Sequence, residues 1–564
     1  METSPEPELT PLLPELIPPA PPPAAGLHGR INRNVAATIV TRVAYMVTRI
    51  GIPPFVLAHL GLGVWGIWST AFLLVSLLGI SNSGLSNVYI KYIAEYDARK
   101  EYPKANTLLS TGLSFTVPFC AIVFGMLCFF WPHVAHFVNL PLAHAQDGKE
   151  VFLIVFAVFL SSLSLQAYID VLNGMQMIAI VQWFSLIGFL VETVLIVVLI
   201  HMGRGLRGLG EAYLARQFIY LGLCIVYCYR KLPWLHVSPR LFSRGALKTV
   251  LHFGGIVQIQ TLFATFFSAP ERFIAMRVLN MEAVGIFDLA KKWPQSTATV
   301  PMSFYSSYLP AASNLNAHTQ GEDRVRRLRD LYLRGSRHSN IVAAYFCALM
   351  AMLPAAIMGV WLGKKVTEAP IASGASNVMS AMTPAEFHAA ILLFALFNVG
   401  IQIHLLTGTG TSILRGIGRI YQEFWYAIPN VVFLAIALAV ARLTQHRWTV
   451  LGIGLAVTAA TLLAVIVFLW RAHRVLHVSN IAFIREVIWP GFVPYLLAAC
   501  FSLPVTQLVS HHGRITGAGI LVGTGIIYTL VLAVVMDKLI LHPYEKAKWR
   551  KLYQRGLRML PRRA

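Results

Sequence analysis

Residues 59–71, HLGLGVWGIWSTA, and residues 278–290, VLNMEAVGIFDLA, carry one pattern twice. Gly66-Ile67-Trp68 of the first matches Gly285-Ile286-Phe287 of the second at an offset of 219 residues. Each passage follows a long apolar stretch and opens the next one. Six apolar helices separate the corresponding elements, an even number, so the two halves run the same way through a membrane. They are expected to be parallel repeats about an axis along the membrane normal. The predicted fold is all-α: two six-helix lobes enclosing a central cavity, with two further helices left over at the C-terminal end.

Composition agrees with that plan. Of 564 residues, 56% are hydrophobic and only 12% charged, with a mean hydropathy of +0.64. Soluble domains carry roughly 25% charged residues, so this is a polytopic membrane protein. Apolar runs of about 20 residues predict about 14 transmembrane helices. The first two lie near 34–59 and 62–83, and the seventh and eighth near 251–275 and 283–309. Residues 31–245 are expected to form the N-terminal lobe, 246–475 the C-terminal lobe and 476–540 the last two helices. The Pro- and Glu-rich segment 1–30 reads as a disordered tail, and 541–564 as a basic one.

The formal charge of +22 does not point to nucleic acid, because Lys and Arg gather in short segments between apolar runs. With the N-terminus inside, 31 of them fall on the cytoplasmic side, nine on the opposite side and six within spans. That asymmetry predicts a multi-pass membrane protein with both termini cytoplasmic. The six cysteines all lie in apolar segments and form no CxxC pair, so neither a disulfide framework nor a metal site is expected. The sequence calls for no cofactor. No connection exceeds about 30 residues, which leaves little room for the extramembrane domain a membrane enzyme usually carries.

The intramembrane basic set is Arg42, Arg49, Arg216, Arg272, Lys291 and Lys292. A charge at bilayer depth costs roughly 2.5 kcal/mol or more, so these side chains are expected to face a bundle interior or a water-filled cavity. Arg42 and Arg49, seven residues apart on the first helix, share a face. An anionic group needs several positive donors to replace its hydration, and Arg offers a fork for phosphate or carboxylate oxygens. Arg42, Arg49, Arg272, Lys291 and Lys292 are therefore the candidate residues for an anionic cargo, with pairing to buried acids the plainer alternative. Arg216 is expected to pair with Glu211 or a lipid headgroup. The acids read as lying in the membrane are Glu192, Glu211, Glu271 and Asp288, with Asp288 and Lys291 placed for an intrahelical pair. Trp65, Trp68, Trp183, Trp293 and Tyr305 could stack on sugars or sit at the membrane interface.

The stretch from Leu60-Gly61 to Thr111 resembles the opening of Wzx-like polysaccharide-export flippases, in the polysaccharide transporter branch of the multidrug/oligosaccharidyl-lipid/polysaccharide superfamily. The resemblance rests on Leu60-Gly61 with Gly66 to Trp68, the small-residue turn GISNSGLSN (79–87), and the Tyr-rich basic loop YIKYIAEY leading to Leu-Ser-Thr. APERFIAMRVLNMEAVGIFDLA (269–290) adds an acidic-Arg pair and a Val-Gly-aromatic run. One departure is Asn82 to Leu85 (NSGL), where the family often has Asp-Leu-Gly-Leu. The resemblance implies two lobes in a V that opens alternately to either side. It also implies an undecaprenyl-pyrophosphate-linked oligosaccharide as cargo, with membrane lipids and polysaccharide polymerase or export proteins as partners. The alternatives are a lipid II flippase and a multidrug antiporter. A cationic drug calls for an acidic cavity, whereas the first helix bears two arginines and no acid.

Overall fold

The computed structural model describes residues 27–77, 83–248, 270–363, 382–445 and 449–540. The expected tails apart from residues 27–30, which open the first helix, most of the seventh apolar run and part of the 79–87 turn lie outside them. Every regular element among the described residues is helical. Ten helices are long and apolar enough to cross a membrane, or eleven when Gly321–Met352 and Pro354–Leu362, bent by 75° at their break, count as one span. The expected first and second spans form a single entity, α1 (Leu27–Leu77), parted at Gly61 with φ 81° and ψ 173°. Glycine adopts that left-handed φ without steric cost, so the helix breaks there without a longer loop. The expected eighth span is a helix, but its charges and prolines keep it out of the apolar ten.

One set of helices comprises α1, α2 (Ser83–Arg99), α3 (Tyr102–Phe129), α4 (Trp131–Phe137), α5 (Ala145–Gly174), α6 (Ile178–His201) and α7 (Gly205–Lys231). Here α5 and α6 pack on α7, α3 on α5, and α1 on α6. The second set comprises α8 (Pro270–Val278), α9 (Met281–His318), α10 (Gly321–Met352), α11 (Pro354–Leu362), α12 (Pro384–Gly416), α13 (Phe424–Gln445) and α14 (Val450–Leu476). Its spine is α12, packed against α9, α10 and α14. The last pair, α15 (Trp489–Ser510) and α16 (Arg514–Val535), leans on α10 and α11.

The two sets meet mainly through α1 against α9, with smaller contacts to α8 and α11. Their junction lies toward the end of the molecule where α3 hands over to α5. There Asn139 Nδ2 donates to the carbonyls of Met276 (3.1 Å) and Arg277 (3.3 Å), and the Arg277 guanidinium donates to Phe137 O at 2.8 Å. The repeat shows itself at this seam. A Cβ on Gly66 would lie 1.8 Å from the carbonyl oxygen of Met281, and one on Gly285 would lie 3.1 Å from that of Leu62. The offset of 219 maps Leu62 onto Met281 and Gly66 onto Gly285, so the contact is self-complementary about the pseudo-twofold axis. Small residues let helix backbones approach this closely in a membrane, where apolar burial between helices supplies little drive. Away from the junction, the first half of α1 exposes Ile39, Val43 and Val47, and the second half of α9 exposes Val300, Met302 and Phe304. The contacts between the lobes thus gather at this one end, the closed end.

Candidate functional site

Just inside the closed end, a cavity of about 280 Å³ opens between the lobes, lined among others by Tyr45, Arg49, Trp65, Tyr213, Arg216 and Lys292. Helix geometry places its first cation. Arg49 lies one turn before Pro53-Pro54, and a proline has no N–H for the carbonyl four residues back. The carbonyl orphaned by Pro54 belongs to Ile50, and the Trp361 indole of α11 donates to it at 2.7 Å. The proline pair of α1 is thereby tied to the opposite lobe.

Glu192 on α6, 2% exposed, holds two arginines. Its carboxylate lies 3.2 Å from Arg49 and 3.5 Å from Arg216 on α7. Aromatic faces complete the support: the Arg216 guanidinium lies 4.4 Å from the centre of the Phe189 ring, and that of Arg49 5.4 Å from Tyr45. Gly188 leaves room for the Arg216 stem, since a Cβ there would approach Arg216 Cγ to 3.2 Å. The expected pairing of Arg216 with Glu211 does not occur. Glu211 pairs with Arg204 at 2.7 Å, because the start of α7 lies beyond the buried Glu192.

The second lobe contributes a matching cluster. Asp288 on α9 accepts from Arg272 of α8 at 2.9 Å and from Lys292 at 3.2 Å, and Ser69 of α1 also hydrogen-bonds it across the lobe boundary. Lys291 turns away from the cavity to the fully buried Glu271, at 2.7 Å. The intrahelical partner of Asp288 is thus Lys292, one full turn away, rather than Lys291, and Arg272 pairs across to α9 rather than with its neighbour Glu271. Lys292 also lies 4.9 Å from the centre of the Trp65 ring on the first lobe.

Of the five sequence-named cations, Arg49 and Lys292 line the cavity, and Arg272 stands behind Asp288. Lys291 belongs to the inner wall, and Arg42 is exposed, outside the lining, about 10 Å along α1 from Arg49. Sequence reasoning assigned Arg216 elsewhere. The signal for its place was the buried acid Glu192, which needs more than one donor. Around the cavity, Arg49, Arg216, Arg272, Lys291 and Lys292 face Glu192, Glu271 and Asp288, leaving two positive charges in excess. Two donors stand buried without a hydrogen-bond partner, Trp65 Nε1 in the lining and Arg272 Nε behind it. Trp65 and Trp68 are the stacking candidates that reach the cavity. Trp183 is largely exposed, Trp293 packs on Trp361, and the Tyr305 hydroxyl donates to Leu405 O at 2.7 Å. The site offers cationic and indole donors around a partly open cavity. Its volume suits a charged headgroup rather than a whole oligosaccharide.

Comparison with known proteins places this geometry in a family. The lipid II flippase MurJ, in an inward closed conformation, superposes with a TM-score of 0.63 at 12% identity, covering 90% of this chain and 99% of that one. An inward-facing multidrug resistance MATE family transporter of the MOP superfamily gives 0.58 at 14% identity, covering 79% and 98%. At such identities the likeness is one of fold. No curated protein matches the chain. The family model described as polysaccharide biosynthesis protein matches residues 61–370, more than half of the chain, and the chain belongs to that family.

Proposed function

We propose that this protein is a flippase for an undecaprenyl-pyrophosphate-linked oligosaccharide, moving it across the bacterial inner membrane for cell-surface polysaccharide synthesis. The observation that carries the reading is the excess of positive charge around a cavity between two lobes. Arg49, Arg216 and Lys292 grip the pyrophosphate, and Trp65 and Trp68 meet the first sugar while the lipid tail stays in the bilayer. Residues 31–245 and 246–475 act as the rocking lobes, with 476–540 as an appended pair. The positive-inside asymmetry puts the closed end on the periplasmic side, so the opposite end receives cargo from the cytoplasm. No covalent step is involved. A drug-antiporter reading fits less well, because Asp288, the acid of the lining, is already held by Arg272 and Lys292.

The test is glycan export in cells whose own copy is deleted and replaced by variants inserted at normal levels. One charged hydrogen bond contributes about 1.5–3 kcal/mol, so Arg49→Ala and Lys292→Ala should each lower export about tenfold or more. Arg49→Lys, which keeps the charge and loses the fork, should fall between. Wild-type export by both alanine variants would end the anion-cavity reading.

A further inference from the structure

Outside the cavity, the first lobe buries one more acid. Asp170, near the C-terminal end of α5, is 1% exposed, and no Lys, Arg or His pairs with it among the described residues. It sits in an apolar core with Val88, Ile93, Val171 and Leu221 around it. Its hydrogen bonds come from neutral groups: Gln166 Nε2 donates to Oδ1 at 3.2 Å, and Ser86 on α2 and Asn173 bond the carboxyl as well. Oδ2 is buried with no hydrogen-bond partner. The hydroxyl of Tyr89, also on α2, is likewise buried and unpartnered, and feels the Asp170 charge. That hydroxyl is pressed against α3 at Gly112, where a Cβ would come within 1.8 Å of it, so the glycine makes its place.

An isolated carboxylate cannot stay ionised in such a core at tolerable cost. It is neutralised by a proton or by a bound cation. Every other buried carboxylate described above already has a basic partner. Asp170 has instead a set of oxygens: Ser86 Oγ, the Tyr89 hydroxyl and, with their amides turned over, the side-chain carbonyls of Asn173 and Gln166. Hard monovalent cations are held by such neutral oxygens around one carboxylate. We propose that Asp170 is a small-cation site, taking up a proton or Na⁺ at the seam between α2 and α5. Two elements build it, so occupancy acts on how α2 packs against α5. The site shares no residue with the cavity cluster. As the seat of a driving ion it rests on the transport reading above; as a cation site it stands by itself.

The titratable groups that feel Asp170 are Tyr89 from α2 and Tyr220 from α7, and no ionised group of α1, α3 or α6 acts on it. The experiment is thermal unfolding of the purified full-length protein, in NaCl or choline chloride at equal ionic strength, across pH 5 to 8. A cation that binds the folded core and not the unfolded chain stabilises by mass action. For Na⁺, the wild-type midpoint should rise saturably with NaCl, not with choline, and the rise should shrink as protons compete at pH 5. For a proton, the midpoint should rise as pH falls, equally in both salts. Either response should vanish in Asp170→Asn. Asp170→Glu, which keeps the carboxyl, should retain it at a shifted midpoint and guards against a poorly folded amide variant. Tyr89→Phe should weaken the Na⁺ response and spare the proton one. An Asp170→Asn protein that answers pH and Na⁺ as the wild type does would overturn the proposal, and so would a wild type that answers neither. Glycan export does not enter this readout, so a failed flippase reading would leave the result standing.

Discussion

Glu192 is the residue on which the first-lobe half of the cavity turns. Its two carboxylate oxygens hold Arg49 and Arg216, and its side chain is 3% exposed while theirs are near 20%. Removing one partner of a buried ionic group is costly because the others are left uncompensated. Glu192→Gln should therefore lower stability by about 1–3 kcal/mol, read as a drop in unfolding midpoint. The double variant Glu192→Gln, Arg216→Met should recover part of that loss, and a strictly additive pair would show that the two do not share the carboxylate. Arg42 gives the contrasting case. Being exposed and outside the lining, it should tolerate Arg42→Ala with export far closer to wild type than Arg49→Ala leaves. A seven-residue spacing put both arginines on one face, which is correct for a straight helix. Distance along the axis, about 10 Å, separates them instead, and a sequence pattern carries no cavity depth. The same limit hid the pairings: that Lys292 rather than Lys291 meets Asp288, and Arg272 rather than Lys291 completes the triad, depends on how α8 turns against α9.

Among the elements, the crossing of α1 and α9 sets how closely the lobes approach. Gly66 meets the Met281 backbone and Gly285 the Leu62 backbone, with no room for a methyl at the first and little at the second. Gly66→Ala should wedge the closed end apart. Cysteines replacing Asn139 and Arg277, residues that bond across this seam, should cross-link readily in an otherwise wild-type background and poorly with Gly66→Ala. Gly285→Ala faces the movable Leu62 side chain as well as backbone, so its effect should be smaller. Cross-linking at full efficiency in Gly66→Ala would mean that the seam yields without opening. This contact was half legible beforehand. The repeat of 59–71 in 278–290 announced symmetric elements, and only the packed structure shows that the repeated glycines meet each other across the axis. The helical class was legible throughout from apolar run length. The join of the two apolar runs into α1 was not, because a single glycine makes the break without a polar loop to mark it.

At the scale of the whole molecule, the closed end is linked to the appended helices through a short relay. Arg514, at the start of α16, donates to Val360 O at 3.1 Å and Trp361 O at 2.7 Å, carbonyls at the C-terminal end of α11 where a cation is electrostatically favoured. Trp361 in turn donates its indole N–H to Ile50 O, the acceptor that Pro54 leaves without a helical partner. The relay thus runs from the last helix pair, through the second lobe, to the proline pair of α1 beside Arg49. A lobe that swings outward must break the Trp361 bond, and the freed Ile50 carbonyl then needs water, which only an opened cleft supplies. The bond therefore favours the closed end, by about 0.5–1.5 kcal/mol for a neutral pair and more where the acceptor stays dry. Trp361→Phe keeps the ring against Trp293 and deletes the donor alone. It should shift the lobes toward separation at this end, seen as two- to tenfold slower cross-linking of the Asn139 and Arg277 cysteine pair. Arg514→Ala should produce a smaller shift in the same direction, since it loosens Trp361 without removing its N–H. If Trp361→Phe cross-links as fast as the parent, the indole bond has no part in holding the end shut, and the glycine seam with the Ser69–Asp288 and Lys292–Trp65 contacts keeps the lobes together.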